Sequence, residues 1–122
     1  MNEMTGPSHF SWNELLVDDV EKAKAFYTQL LGWDTAPMSG PMPYTLFKKN
    51  GMEVAGLMHK PMPQAPSQWL AYVSVESVEK TAQRVVELGG KVVAPPFQIP
   101  DIGWIAVVLD PEGVSFGLFQ RG

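Results

Sequence analysis

The stretch FSWNELLV (10–17) offers the most chemistry in this sequence, because it sets a carboxylate, Glu14, two residues after a tryptophan inside an apolar, β-competent run. Side chains alternate faces along a strand, so Glu14 shares a face with Trp12 while Asn13, Leu15 and Val17 point the other way. A carboxylate facing a partly enclosed cavity is costly unless it is solvated, paired or used. Desolvation would raise its pKa, which suits a general base or a hydrogen-bond donor. Pairing with an Arg, a Lys or a backbone N–H, or an opening to solvent, is the plainer fate. Tyr72, in WLAYVSVE, shares a face with Leu70. A phenol there, or at Tyr44, can polarise a carbonyl or hold an enolate oxygen. The two imidazoles, His9 and His59, stand at spacings unrelated to each other and to Glu14, and both read first as surface residues. An unconventional metal site using either of them with Glu14 stays open. There is no Gly-rich phosphate loop after a strand, no G-x-S-x-G elbow and no paired histidine on a helix face.

These residues have to be positioned by the elements around them, and the elements come twice. WNELLVDDVEKAKAFY begins at Trp12, and WLAYVSVESVEKTAQRV begins at Trp69. Aligned on VEK, Val20 falls on Val78 and Gly32 on Gly90, a shift of 58 residues. The first copy predicts a strand over 10–17 and then a helix, with Asp18 or Asp19 as the cap. Glu21 lies three residues after Asp18, as in a capping box. Val20, Ala23, Phe26, Tyr27, Leu30 and Leu31 recur at helical spacing, with Phe26 and Tyr27 expected in the core. Gly32 is the expected stop, since glycine enters the left-handed region without steric cost. WDTAPM, YTLFKK and EVAGLMH follow as strands, separated by SGPMP and by NG, a strong hairpin signal. The second copy predicts a strand at WLAYVSVE, a helix capped by Ser77 and ended by Gly89 and Gly90, and strands at KVVAPPF, WIAVVLD and VSFGLFQ, with DPEG as the last turn. We read residues 1–122 as a single domain. Module one covers about 8–59, a linker rich in proline about 60–68, and module two about 69–122.

Composition narrows the partners. Nine Lys+Arg against thirteen Asp+Glu gives a net charge of −4, with no basic cluster, which argues against nucleic acid and anionic membranes. Without cysteine there is no disulfide and no thiolate site. The opening MNEMTGPSHF has no signal-peptide pattern, and no apolar run reaches the ~20 residues that span a bilayer. The expectation is a cytoplasmic protein.

The doubled βαβββ order resembles the vicinal oxygen chelate superfamily, which includes glyoxalase, bleomycin resistance protein, fosfomycin resistance enzymes and extradiol dioxygenases. The residues carrying the resemblance are Asp19, Ala23, Phe26, Tyr27, Leu31, Gly32 and Trp33, then Asp110, Pro111 and Gly113. W-x-E-L at Trp12 and G-x-x-V-A-G-x-M at Gly51 are similar to its glyoxalase-like subset. The resemblance implies an α+β fold, two βαβββ modules forming a cupped mixed sheet, and a homodimer. It also implies a divalent metal held at four strand positions. Those positions fall here on Trp12, Gly56, Leu70 (or Trp69) and Gly117, none of which supplies the imidazole, carboxylate or thiolate that such a cation needs. No metal and no other cofactor is therefore expected. In a cup of this kind Trp12, Met58, Tyr72 and Phe119 would line the wall, with Trp69, Tyr44 and Trp104 at the rim, an aromatic setting suited to a small organic ligand. Three readings follow. The first is metal-independent small-molecule binding. The second is a metal-free lyase or isomerase with Glu14 as general base and Tyr72 as its partner. The third is a structural module whose own side chains fill the cup.

Overall fold

A computed structural model of the chain describes residues 7–38 and 43–122. The first six residues of the opening and most of the SGPMP turn lie outside the described residues. Eight strands and two helices follow the expected order twice: β1 (Phe10–Val17), α1 (Val20–Leu31), β2 (Asp34–Met38), β3 (Tyr44–Lys49) and β4 (Met52–His59), then β5 (Gln68–Ser74), α2 (Val78–Glu87), β6 (Lys91–Ile99), β7 (Gly103–Leu109) and β8 (Ser115–Arg121). The fold is α+β. The chain divides into two compact units, one of residues 13–69 and one of residues 1–12 with 70–122. Both boundaries fall inside strands, β1 and β5, and not in the proline-rich stretch.

In the unit of residues 13–69 the strands run in the order β2-β3-β4-β1. β1 and β4 are parallel, with Glu14 opposite Gly56 and Leu16 opposite Met58, whereas the β2–β3 and β3–β4 pairs are antiparallel. Two parallel strands cannot be joined by a tight turn, so the helix and the β2–β3 excursion supply the crossover. Leu15, Phe47, Ala55 and Leu57 form the core beneath α1, joined by Val20, Ala23 and Tyr27 from the helix. Asn50 and Gly51 both have positive φ, 53° and 80°, as the two central residues of a tight hairpin turn require.

Asp19 is the N-cap of α1, its carboxylate accepting from the Lys22 N–H at 3.0 Å. The capping box anticipated from Asp18 and Glu21 does not form. With the cap one residue later, the position that should reach back is a lysine, which has no acceptor to offer. Asp18 instead pairs with Lys60 at 3.3 Å, and the Lys60 ammonium also donates to the Ala65 carbonyl, which pins the start of the proline-rich stretch to the foot of the helix. Removing the Asp19 cap strands a helix-end N–H. Asp19→Ala should therefore cost about 1 kcal/mol in urea denaturation. Gly32 closes α1 with φ 70°, as its sequence position predicts. Phe26 departs from its expected core place and is 57% exposed, because Val20, Ala23 and Tyr27 already occupy the arc that faces the sheet.

The second unit orders its strands β5-β8-β7-β6. β5 and β8 are parallel, with Tyr72 opposite Gly117 and Ser74 opposite Phe119. Val78 and Ala82 of α2 pack on Ala106, Val108 and Leu118. Ser77 caps α2 through the Lys80 N–H at 3.1 Å, and the Gln120 side chain accepts from the Val78 N–H at 2.9 Å. Pro95 and Pro96 interrupt β6, where the register slips between Ala94 and Phe97. β6 is terminal in the strand order, as is β2 with Pro37. An edge strand tolerates a residue that cannot donate to a ladder.

Candidate functional site

Each unit sets one polar side chain against a glycine at the same place in its parallel strand pair. Glu14 and Tyr72 differ by 58 residues, the repeat shift, and both are first-strand residues with a fourth-strand glycine as Cα partner.

In the unit of residues 13–69, strand parity puts Glu14, Leu16, Tyr44, Leu46, Gly56 and Met58 on the face away from α1. Glu14 is 0% exposed, and Leu16, Tyr44, Leu46 and Met58 are buried. A carboxyl group removed from water is the environment in which acid–base side chains are tuned. On the other face Trp69 donates its Nε1–H to the Tyr27 hydroxyl at 3.1 Å and meets the Tyr27 and Trp33 rings edge-on. Tyr27 stacks on Trp33, and both pack on Phe47 beneath the helix. The ring of Trp69 thus belongs to an aromatic cluster on the helix side, apart from Tyr44 and Met58. A cleft of about 510 Å³ opens on the helix side too, among Val20, Lys24, Thr45, Leu57, His59 and Lys60. His59 lines it with Glu21 and Met58, and its two ammonium groups are paired, Lys24 with Glu21 at 3.1 Å and Lys60 with Asp18 at 3.3 Å.

In the other unit Tyr72, Ser74, Ile105, Val107, Gly117 and Phe119 share the face away from α2. The Tyr72 ring lies directly on Gly117. A β-carbon built on that glycine would be 2.8 Å from Tyr72 Cγ and closer still to Cδ2 and Cε2. Phe119 is buried and lines a cavity of about 280 Å³ with Pro7, Ser74, Glu76 and Arg121. Ser74 Oγ is buried and has no hydrogen-bond partner among the described residues. Ser74 was not anticipated as a site residue. Its parity with Tyr72 could have suggested it, since Ser74 continues the alternation of Leu70 and Tyr72. Trp104 pairs with Gln120 on the opposite face, where it lines a small cavity near Ser77 and Glu79. Trp12 is buried, and Trp12, Glu14, Tyr44 and Tyr72 each take part in further polar or ring interactions.

The donor set does not fit the family's metal. Trp12, Gly56, Leu70 and Gly117 offer no ligand atom, and no group of three or more His, Cys, Asp or Glu side chains comes together among the described residues. The Nδ1 of His9 lies 3.1 Å from the Pro7 carbonyl.

The sequence profile of the Glyoxalase/Bleomycin resistance protein/Dioxygenase superfamily matches residues 6–118, and the chain belongs to that superfamily. CFP32 of Mycobacterium tuberculosis, whose name assigns it provisionally to the glyoxylases, is 37% identical over 111 residues, covering 89% of this chain and 42% of its own length. The anthracycline biosynthesis protein DnrV of Streptomyces peucetius is 29% identical over 132 residues, covering 95% of this chain and 48% of its own. The chain thus spans less than half the length of these curated relatives. Methylmalonyl-CoA epimerase of Streptomyces coelicolor, solved in complex with 2-nitronate-propionyl-CoA, superposes with a TM-score of 0.63 at 12% identity, covering 96% of this chain and 99% of the epimerase. That likeness is one of fold. No helix among the described residues is long and apolar enough to cross a membrane.

Proposed function

We propose that this protein binds a small organic ligand without the help of a metal, Trp12, Tyr72 and Phe119 being the apolar and aromatic residues offered by one unit and Tyr44 and Met58 those offered by the other. The observation that carries the reading is the fit of the Tyr72 ring to Gly117. At that ligand position the side chain is not merely exchanged for a non-donor; its space is taken by a ring, so a donor side chain could be restored only by moving the tyrosine. Aromatic rings supply large contact area at low cost in conformational freedom, which is what an organic ligand's site requires. Ser74 adds a hydroxyl for orienting a polar group. The proposal includes a homodimer and a cytoplasmic setting.

A second reading is favoured by one residue. Glu14 is fully buried at the same place in its repeat as Tyr72, and a carboxyl group in that position can serve as the base of a lyase or isomerase.

Native mass spectrometry of freshly purified protein, without chelator or added metal, tests the first reading. We expect no stoichiometric divalent metal and a retained or readily added organic ligand. A metal bound one per chain would overturn it and direct attention to His9, His59 and Glu14.

A further inference from the structure

We propose that the exposed ridge of α1 is the seam of a homodimer, covered by the α1 ridge of a second copy of this chain. The inference rests on the homodimer reading above and specifies its surface. α1 has no buried residue. Phe26 is 57% exposed, Leu30 one turn later 62%, Leu31 42% and the neighbouring Trp69 40%. Ring contacts and helical spacing connect the four. Phe26 meets Tyr27 edge-on with ring centroids 5.0 Å apart, and Tyr27 holds Trp69 through a ring contact at 5.5 Å and the indole hydrogen bond. Leu30 and Leu31 follow Phe26 and Tyr27 by four residues and so extend the same strip along the helix.

With ~200 Å² for a fully exposed side chain of this class, the four leave roughly 400 Å² of apolar surface in water. Single exposed apolar residues are ordinary, and a contiguous patch of this size equals the largest on a typical monomer, about 300–600 Å², which is often functional. A standard protein interface buries about 800 Å² per partner, somewhat over half of it apolar, so one ridge supplies most of the apolar share of one side. Charge points to a second copy as the occupant. The first turns of α1 carry Asp19 and Glu21 against Lys22 and Lys24. The strip's flank is therefore balanced although the whole chain is at −4, and two copies can meet there without like-charge repulsion. A two-fold contact needs only a self-complementary patch, which an apolar ridge between balanced charges provides. The rings are already held in place by their mutual contacts, so little side-chain freedom is lost on docking.

The test compares the wild-type chain with a Phe26→Glu, Leu30→Glu double variant by native mass spectrometry and light scattering. Val86→Glu, on the exposed face of α2, serves as the control. The expected result is a dimer for wild type and control and a monomer for the ridge variant, with dimer affinity lowered at least about tenfold. A ridge variant that dimerises as tightly as wild type overturns the seam and leaves the dimer reading standing. A monomeric wild type overturns both. Should the double variant lose its helical circular dichroism, a nitroxide on Gln29→Cys in this otherwise cysteine-free chain gives the answer. A short, sharply defined distance between labels supports the seam. A separation near the full width of a dimer overturns it.

Discussion

Gly117→Ala should be among the most damaging single-methyl additions to this protein, costing about 3 kcal/mol of stability in urea denaturation. The new carbon would stand inside the Tyr72 ring, 2.8 Å from Cγ and nearer to two other ring atoms. Adding a methyl to a filled interior ordinarily costs about 1–3 kcal/mol, and the upper end applies here because the ring has nowhere nearby to go. Tyr72 is buried and lies on a strand whose register with β8 fixes where its Cβ points. The cause can be isolated with a double-mutant cycle. In a Tyr72→Leu background the ring is gone, and Gly117→Ala should then cost under about 1 kcal/mol, giving a coupling of about 2 kcal/mol. An equal loss in both backgrounds would mean that the glycine is needed for its backbone and not for the ring. The proposed function would lose its main support with that result.

Glu14→Gln separates binding from catalysis. The amide keeps the shape of the carboxyl group and one acceptor oxygen, and removes the ability to take a proton. For a binding protein we expect ligand affinity within about fivefold of wild type, since a neutral isostere changes at most one hydrogen bond of about 1 kcal/mol. For the lyase or isomerase reading the same variant should lower turnover by about 10²–10⁴-fold, the usual contribution of a positioned acid or base. The readouts are calorimetry with the ligand recovered from the native protein, and exchange of its carbon-bound protons in heavy water followed by NMR. Unchanged exchange in the variant would sink the catalytic reading. A tenfold or greater fall in affinity would instead make the carboxyl group a ligand contact.

Much of the architecture was legible in the residues because local rules act on neighbours in sequence. β1 runs from Phe10 to Val17 as its alternation implies, and Gly32 closes α1 in the left-handed conformation. The Asn50–Gly51 turn and the Asp110 turn, in which one carboxylate oxygen accepts from the N–H groups of Glu112 and Val114, also follow from residue type alone. Residue type leaves a choice where two local solutions are equally good. Asp18 and Asp19 can each cap a helix, and only the backbone angles at Asp19 and the pairing of Asp18 with Lys60 separate them. Phe26 and Tyr27 both fit a helical stripe, but the sheet beneath has room for one of them.

By itself the sequence determined the order of elements, the doubling of the unit and the capping and turn residues that bound them. Each of these depends on residue type and spacing along the chain. Only the tertiary structure decided that Tyr72 lies on Gly117, that the Trp69 ring joins Tyr27 and Trp33, and that α1 keeps an apolar ridge in water. Strand parity says which side of a sheet a residue faces. What it meets there is set by the register between strands more than 40 residues apart, as for Tyr72 and Gly117, and by how many side chains compete for one surface.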